Sequence, residues 1–213
     1  MLNTVVEIGL PAGGLTEAFD SALGHLAVTK DPDFNLSVIR AASEFLIIAE
    51  GCIIDRCSFA AAVVPTVKSA ICTDVINRED FGLYVHAAML RGTAGAMLLP
   101  APPQSGKTCL AAALAKAGLT YCSDETTLLD PQRFNARGLR TALTVKTGAW
   151  QLLQPLYPEL RALPAHRRGD GKIVKYLRPP GPAVGADAGA PCRVSSIVFP
   201  RYVAGSTTEL TMV

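Results

Sequence analysis

The chain has 213 residues, 49% hydrophobic and 18% charged, with a net charge of +2. That length suits one domain with a real core, or a core with a small appendage, and the composition excludes a disordered chain. The near-balanced charge excludes an obligatory nucleic-acid or anionic-membrane partner. Six cysteines, at 52, 57, 72, 109, 122 and 192, form no C-x-x-C pair, so zinc and dithiol-redox readings fail on spacing. They read as reduced, mostly buried thiols of a cytoplasmic protein. The three histidines lie far apart and make no local metal motif. The N-terminus has no basic stretch leading into an apolar one, which argues against a secretory signal. Glu50, Pro65 and Lys68 interrupt the longest apolar runs too soon for a spanning helix.

The first 80 residues read as strands and a packing helix, either part of the core or appended to it. Residues 4–8 and 35–39 are strand candidates, 9–14 form a turn, and 44–54 hold the β-prone run Phe45-Leu46-Ile47-Ile48. Residues 58–77, rich in Ala and Val, suit a buried helix that Pro65 would kink or delay. From 81 onward the pattern is that of a second unit. Residues 82–90 form one strand, Arg91-Gly92-Thr93 a turn, and 94–99 the returning strand. A helix over 107–117 stops at Gly118, and 119–122 form a short strand. Strand, loop, helix and strand over about thirty residues is the size of one βαβ unit. Strands follow at 140–146, 173–177 and 194–199, short helical turns at 152–163, and a Pro, Gly and Ala loop at 179–191. The chain ends at Thr211-Met212-Val213 inside a strand-like stretch, as a truncated chain would.

The stretch between strand 94–99 and helix 107–117 reads Ala-Pro-Pro-Gln-Ser-Gly-Lys-Thr, against the phosphate-loop pattern G-x-x-x-x-G-K-[ST]. Gly106 lets the backbone approach a phosphate, Lys107 supplies a point charge, and the Thr108 hydroxyl can ligate magnesium. The helix start aims free N–H groups at an anion. Pro102 and Pro103 have no N–H, but the expected donors, the amides of Gln104, Ser105, Gly106, Lys107, Thr108 and Cys109, are all present. A positive φ at Gln104 would cost about 1 kcal/mol.

Ser123-Asp124-Glu125 follows the next strand, at the sheet edge where phosphates would lie. One carboxylate could hold magnesium and the other accept a proton from an attacking hydroxyl. His86, on the strand before the hairpin, could orient Asp124 and tune it.

These residues in this order resemble the HPr kinase/phosphorylase group, and more closely its stand-alone HPr-kinase-like relatives. The resemblance rests on Val85-His86-Ala87-Ala88, Gly106-Lys107-Thr108, Lys116-Ala117-Gly118 and Ser123-Asp124-Glu125, with later segments around Val145-Lys146, 175–180 and 197–202. It implies an α/β fold, a P-loop-containing mixed sheet flanked by helices, of the HPr-kinase/carboxykinase kind. It implies a kinase using ATP and Mg2+ that phosphorylates a hydroxyl on a peptide, protein or small molecule, in a homo-oligomer. Asp124 would be the general base, His86 its partner and Lys107 the phosphate ligand. Thr108 and Glu125 would lie near the metal. Lys146, Arg178 and Arg201 would contact phosphate or substrate. The second acid is Asp in those relatives and Glu here, and the loop departs from them at 101, 103 and 104. The family's HPr-docking signature is missing, so HPr is not the expected acceptor. Two other readings stay open: a nucleotide-binding regulatory module without turnover, and a carboxykinase-like enzyme holding a small acid near Arg178 or Arg201.

Overall fold

The computed structural model describes residues 4–78, 82–180 and 190–211. The fold is mixed α/β. Strands β1 (Val6–Gly9), β2 (Phe34–Ala41), β3 (Glu44–Ala49) and β4 (Cys52–Cys57) form a four-stranded sheet in that order, with only β1 and β2 parallel. The single strand expected over 44–54 is a hairpin. Glu50 and Gly51 both take positive φ, 48° and 79°, and turn the chain between two equally apolar runs. Helix α1 (Thr16–Leu23), unforeseen in the sequence, and helix α2 (Ala60–Arg78) pack on this sheet. Helix α2 runs through Pro65, which is itself buried among Val63, Val64 and Val67; burial of that apolar row offsets the missing N–H.

The segment expected as one strand over 82–90 is broken at His86 into β5 (Leu83–Val85) and β6 (Ala87–Gly92). After a tight turn, β7 (Gly95–Pro100) returns beside β6. Helix α3 (Lys107–Lys116) leads to β8 (Thr120–Ser123) on the other side of β6. Both β7 and β8 are antiparallel to β6, so they are parallel to each other, and β7–α3–β8 is a crossover unit with β6 between its strands. Two short strands that the sequence did not reveal follow, β9 (Thr127–Asp130) and β10 (Asn135–Gly138).

With β14 (Cys192–Ile197), these strands make a seven-stranded sheet in the order β5-β9-β10-β14-β7-β6-β8. Because β5 continues into β6 and β8 into β9, the two ends of that order are joined by the chain itself. The sheet therefore curls round a small interior of Met89, Ala96, Leu98, Cys122, Ala136 and Val194. Pairs Val85–Thr127 and Met89–Ser123 keep one antiparallel register across both breaks. That register sets His86 to Ala88 opposite Asp124 to Thr126.

A third sheet, β11 (Leu143–Lys146), β13 (Ile173–Leu177) and β12 (His166–Arg167), has β13 in its centre. Single turns of helix, including α4 (Trp150–Leu153), join β11 to β12. This sheet links the two halves of the chain. Leu143, Val145 and Leu177 pack with α3, whereas Ala142, Val174 and Tyr176 pack with α2 and the N-terminal sheet. Most of the expected 179–191 loop lies outside the described residues. Residues 200–211 contain no strand, and Met212 and Val213 of the strand-like end lie outside the described residues. Among the described residues, no helix is long and apolar enough to cross a membrane.

Candidate functional site

The loop after β7 takes the shape that its sequence strains against. Gln104 has φ 71° and Gly106 φ 84°, both left-handed. Gly106 adopts this conformation freely, while Gln104 carries a side chain at a cost of about 1–2 kcal/mol. The two turns bend the chain so that Lys107 opens α3 directly, with Gly106 as N-cap. The Leu110 N–H bonds the Gly106 carbonyl at 2.9 Å, so the amides of Lys107, Thr108 and Cys109 are the ones an α-helix cannot satisfy itself. The Ser105 hydroxyl oxygen is buried without a hydrogen-bond partner among the described residues. Beyond β14, Tyr202 lies over the loop: a Cβ added to Gly106 would come within 3.4 Å of the Tyr202 Cβ. Arg201 is its exposed neighbour.

Lys107 is buried and points towards the break in β5–β6, its Nζ 3.4 Å from the His86 carbonyl oxygen. Burial lowers its pKa, while Asp124 and Glu125 pull the other way. Burial also lowers the His86 pKa, with Lys107 adding to the effect. Lys146, at the end of β11, contributes to both shifts, so it belongs to the same cluster.

Asp124 and Glu125 sit in the break between β8 and β9, in opposite electrostatic states. Asp124 is fully enclosed. Its Oδ2 accepts the Thr144 N–H at 2.8 Å, and its Oδ1 lies 3.1 Å from the Tyr121 hydroxyl. Burial, reinforced by the neighbouring Glu125 charge, pushes its pKa up to about 6. Glu125 is pulled down: against the effect of burial, Lys68 and Arg168 hold its carboxyl well below the usual range. Its Oε2 meets Lys68 Nζ at 3.0 Å and its Oε1 meets Arg168 at 3.0 Å. Two adjacent acids thus divide the roles of a neutral-leaning carboxyl and a fixed carboxylate.

His86, Lys107, Asp124, Glu125 and Lys146 come together in one cluster. The His86 ring feels the charge and backbone of Glu125, which raise its pKa against burial, while the two Asp124 oxygens meet Tyr121 and Thr144. Arg178 is used elsewhere, bonding the Asp20 carboxylate and carbonyl at the end of α1. The sequence reading missed Lys68, Tyr121, Thr144 and Arg168. A lysine inside the apolar α2 run was the one visible signal, since a buried ammonium requires a partner. A cleft of about 820 Å3 opens beside this centre, with Lys68, His86, Glu125, Thr144, Arg168 and Tyr176 among its walls.

The chain matches no protein-family model, no curated protein and no solved structure.

Proposed function

We propose that the protein is a phosphotransferase that binds ATP at the 101–109 loop and passes its γ-phosphoryl group to a hydroxyl. The observation carrying this reading is the convergence of Lys107, at the head of α3, with a buried carboxyl whose pKa is near neutrality, Asp124. The loop suits phosphate: it offers helix-start amides that lack intrahelical acceptors, a left-handed Gly106 and a buried Ser105 hydroxyl with no partner among the described residues. Lys107 would leave the His86 carbonyl for the β and γ phosphates. The acceptor oxygen would form its bond to phosphorus as the bond to the ADP oxygen breaks, its proton passing to Asp124. A base poised near the working pH is suited to that transfer.

Magnesium fits only as a companion of the phosphates, through the Thr108 hydroxyl and water, because both Glu125 oxygens already face cations. When bound it would offset charge on the phosphates. The acceptor would approach through the cleft beside His86 and Glu125.

A second reading, nucleotide binding without transfer, is favoured by the complete enclosure of Asp124, with both oxygens engaged. The primary test is calorimetric titration of ATP with magnesium into wild type and Lys107→Ala. Binding that weakens at least about tenfold in the variant is expected for a lost phosphate contact. Equal, negligible binding to both would remove either reading.

A further inference from the structure

Lys68 sits on the inward side of α2 with 5% of its surface exposed, in the same helix as buried Val63, Val64 and Val67. Enclosing an ammonium is costly unless acceptors surround it. Lys68 Nζ meets Glu125 Oε2 and Thr144 Oγ1, each at 3.0 Å, and lies 5.3 Å from the centre of the Tyr176 ring. A valine or leucine would satisfy a helix that only packs, without this burden.

What Lys68 touches is informative. Glu125 is the chain neighbour of Asp124. Thr144 gives its N–H to Asp124 Oδ2 while its hydroxyl meets Lys68. Lys68 therefore grips the enclosed carboxyl from two sides without contacting it. Arg168 holds the other Glu125 oxygen from beyond β12, so Glu125 is stretched between two cations on separate elements.

We infer that Lys68 is a positioning residue for the phosphoryl transfer proposed above: from α2 it fixes Glu125 and Thr144, and through them the geometry of Asp124. The first third of the chain is then a working part of the site and not a packing layer beside it. This rests on the proposed transfer. Removing Lys68 leaves the Glu125 carboxylate held by Arg168 and frees the Thr144 hydroxyl from its contact with Lys68. The phosphate loop, carried by β7 and α3, keeps its own supports. Lys68 thus governs the transfer step while leaving nucleotide affinity in place.

The test compares wild type, Lys68→Met and Lys68→Arg as full chains. Thermal melting checks the fold, ATP with magnesium is the probe, and inorganic phosphate released to water is the readout. Lys68→Met is expected to keep KM for ATP within about twofold while kcat falls at least about tenfold, the signature of misplacement and not of lost binding. Lys68→Arg, which retains the charge and donors, restores kcat to within about threefold of wild type, since a bridging cation remains. Amide exchange at Thr144 should quicken in Lys68→Met and not in Lys68→Arg. Wild-type turnover with an undiminished kcat in Lys68→Met overturns the inference alone. If Lys68→Met fails to fold, Lys68→Arg and Glu125→Gln decide: loss of kcat in Glu125→Gln at unchanged KM, with Lys68→Arg active, supports it, and full activity in Glu125→Gln overturns it. If wild type releases no phosphate to water, Thr144 exchange decides: quickened exchange in Lys68→Met alone supports Lys68 as the residue that holds the partner of Asp124, unchanged exchange overturns the inference, and the underlying transfer reading stands or falls on the ATP titration with Lys107→Ala.

Discussion

The Tyr121 hydroxyl lies within hydrogen-bonding distance of both Asp124 Oδ1, at 3.1 Å, and the Thr141 carbonyl oxygen, at 3.0 Å. A phenol has one proton, and a carbonyl can only accept. If Tyr121 donates to Thr141, the contact with Asp124 is satisfied only by a proton on the carboxyl. Asp124 and Thr141 thus compete for one phenol proton, and burial, which pushes the Asp124 pKa up to about 6, favours a protonated Asp124 at mildly acid pH.

Asp124→Asn reproduces that species: the amide N–H₂ can donate to Tyr121 while the amide oxygen accepts from Thr144. Between the ordinary carboxyl pKa and about 6, the folded wild type holds a proton that the unfolded chain has lost. Wild-type stability therefore falls as pH rises through this window. The variant has no such loss, so its advantage in chemical denaturation should grow from about pH 4 to about pH 6, by up to about 3 kcal/mol, and then level off. The phosphoryl transfer proposed above should fall at least about a hundredfold in this variant. Retained turnover in a folded Asp124→Asn would exclude Asp124 as the base.

Gln104 and Gly106 should respond oppositely to substitution. Gln104→Gly relieves a left-handed side chain at φ 71°. The gain of about 1 kcal/mol is partly cancelled by the greater freedom of Gly in the unfolded state, so urea midpoints should be unchanged or slightly raised. Gly106→Ala puts a Cβ at φ 84° and against Tyr202, and should destabilise by about 1–2 kcal/mol. A clear loss of stability in Gln104→Gly would mean that the Gln104 side chain makes a contact worth more than its strain.

Gly138 tests the curling of the sheet. A Cβ there would lie 2.3 Å from the Cys122 carbonyl oxygen, a backbone atom that cannot swing aside. Gly138→Ala must force β10 away from β8, and overpacking of this kind costs about 1–3 kcal/mol or more. Denaturation that shows no loss would indicate that the two strands are not held so closely.

Much of the site was written in local sequence. The β7–loop–α3–β8 unit shows itself through a strand-length apolar run, a Gly-Lys-Thr helix start and a Gly118 stop, all within one stretch of chain. The breaks did not show. Glu50 turns the chain with a positive φ that its side chain does not advertise, and His86 interrupts an apolar run with no Gly or Pro. Strands β9 and β10 are four residues each, too short for a period to emerge. The partners of Glu125 were hidden for another reason: Lys68 lies 57 positions away and Arg168 lies 43, and only the packing of α2 and β12 against the centre brings them in.

His166 provides a last test, away from the loop. It pairs with Val174 at the edge of the third sheet, is buried, and rests against Tyr176 with ring centres 5.1 Å apart. Neither ring nitrogen has a hydrogen-bond partner among the described residues. A neutral imidazole still carries one donor and one acceptor, so its enclosure costs about 1–3 kcal/mol for each unmet group. Burial also drives its pKa below 6.5. As pH falls through the ordinary histidine range, the unfolded chain takes up a proton that the folded chain refuses, and stability is lost. Full stability from this group is present above about pH 7 and declines below it. His166→Phe keeps the apolar ring contact and removes both effects. It should raise the melting temperature near neutrality, and by a wider margin near pH 5, since a ring without nitrogen does not titrate. Asp124 pulls the other way in an overlapping window, so the quantity to read is the difference between variant and wild type. A difference that stays constant from about pH 7 to about pH 5 would mean that His166 does not titrate with folding, and that its nitrogens are satisfied in solution, by water or otherwise.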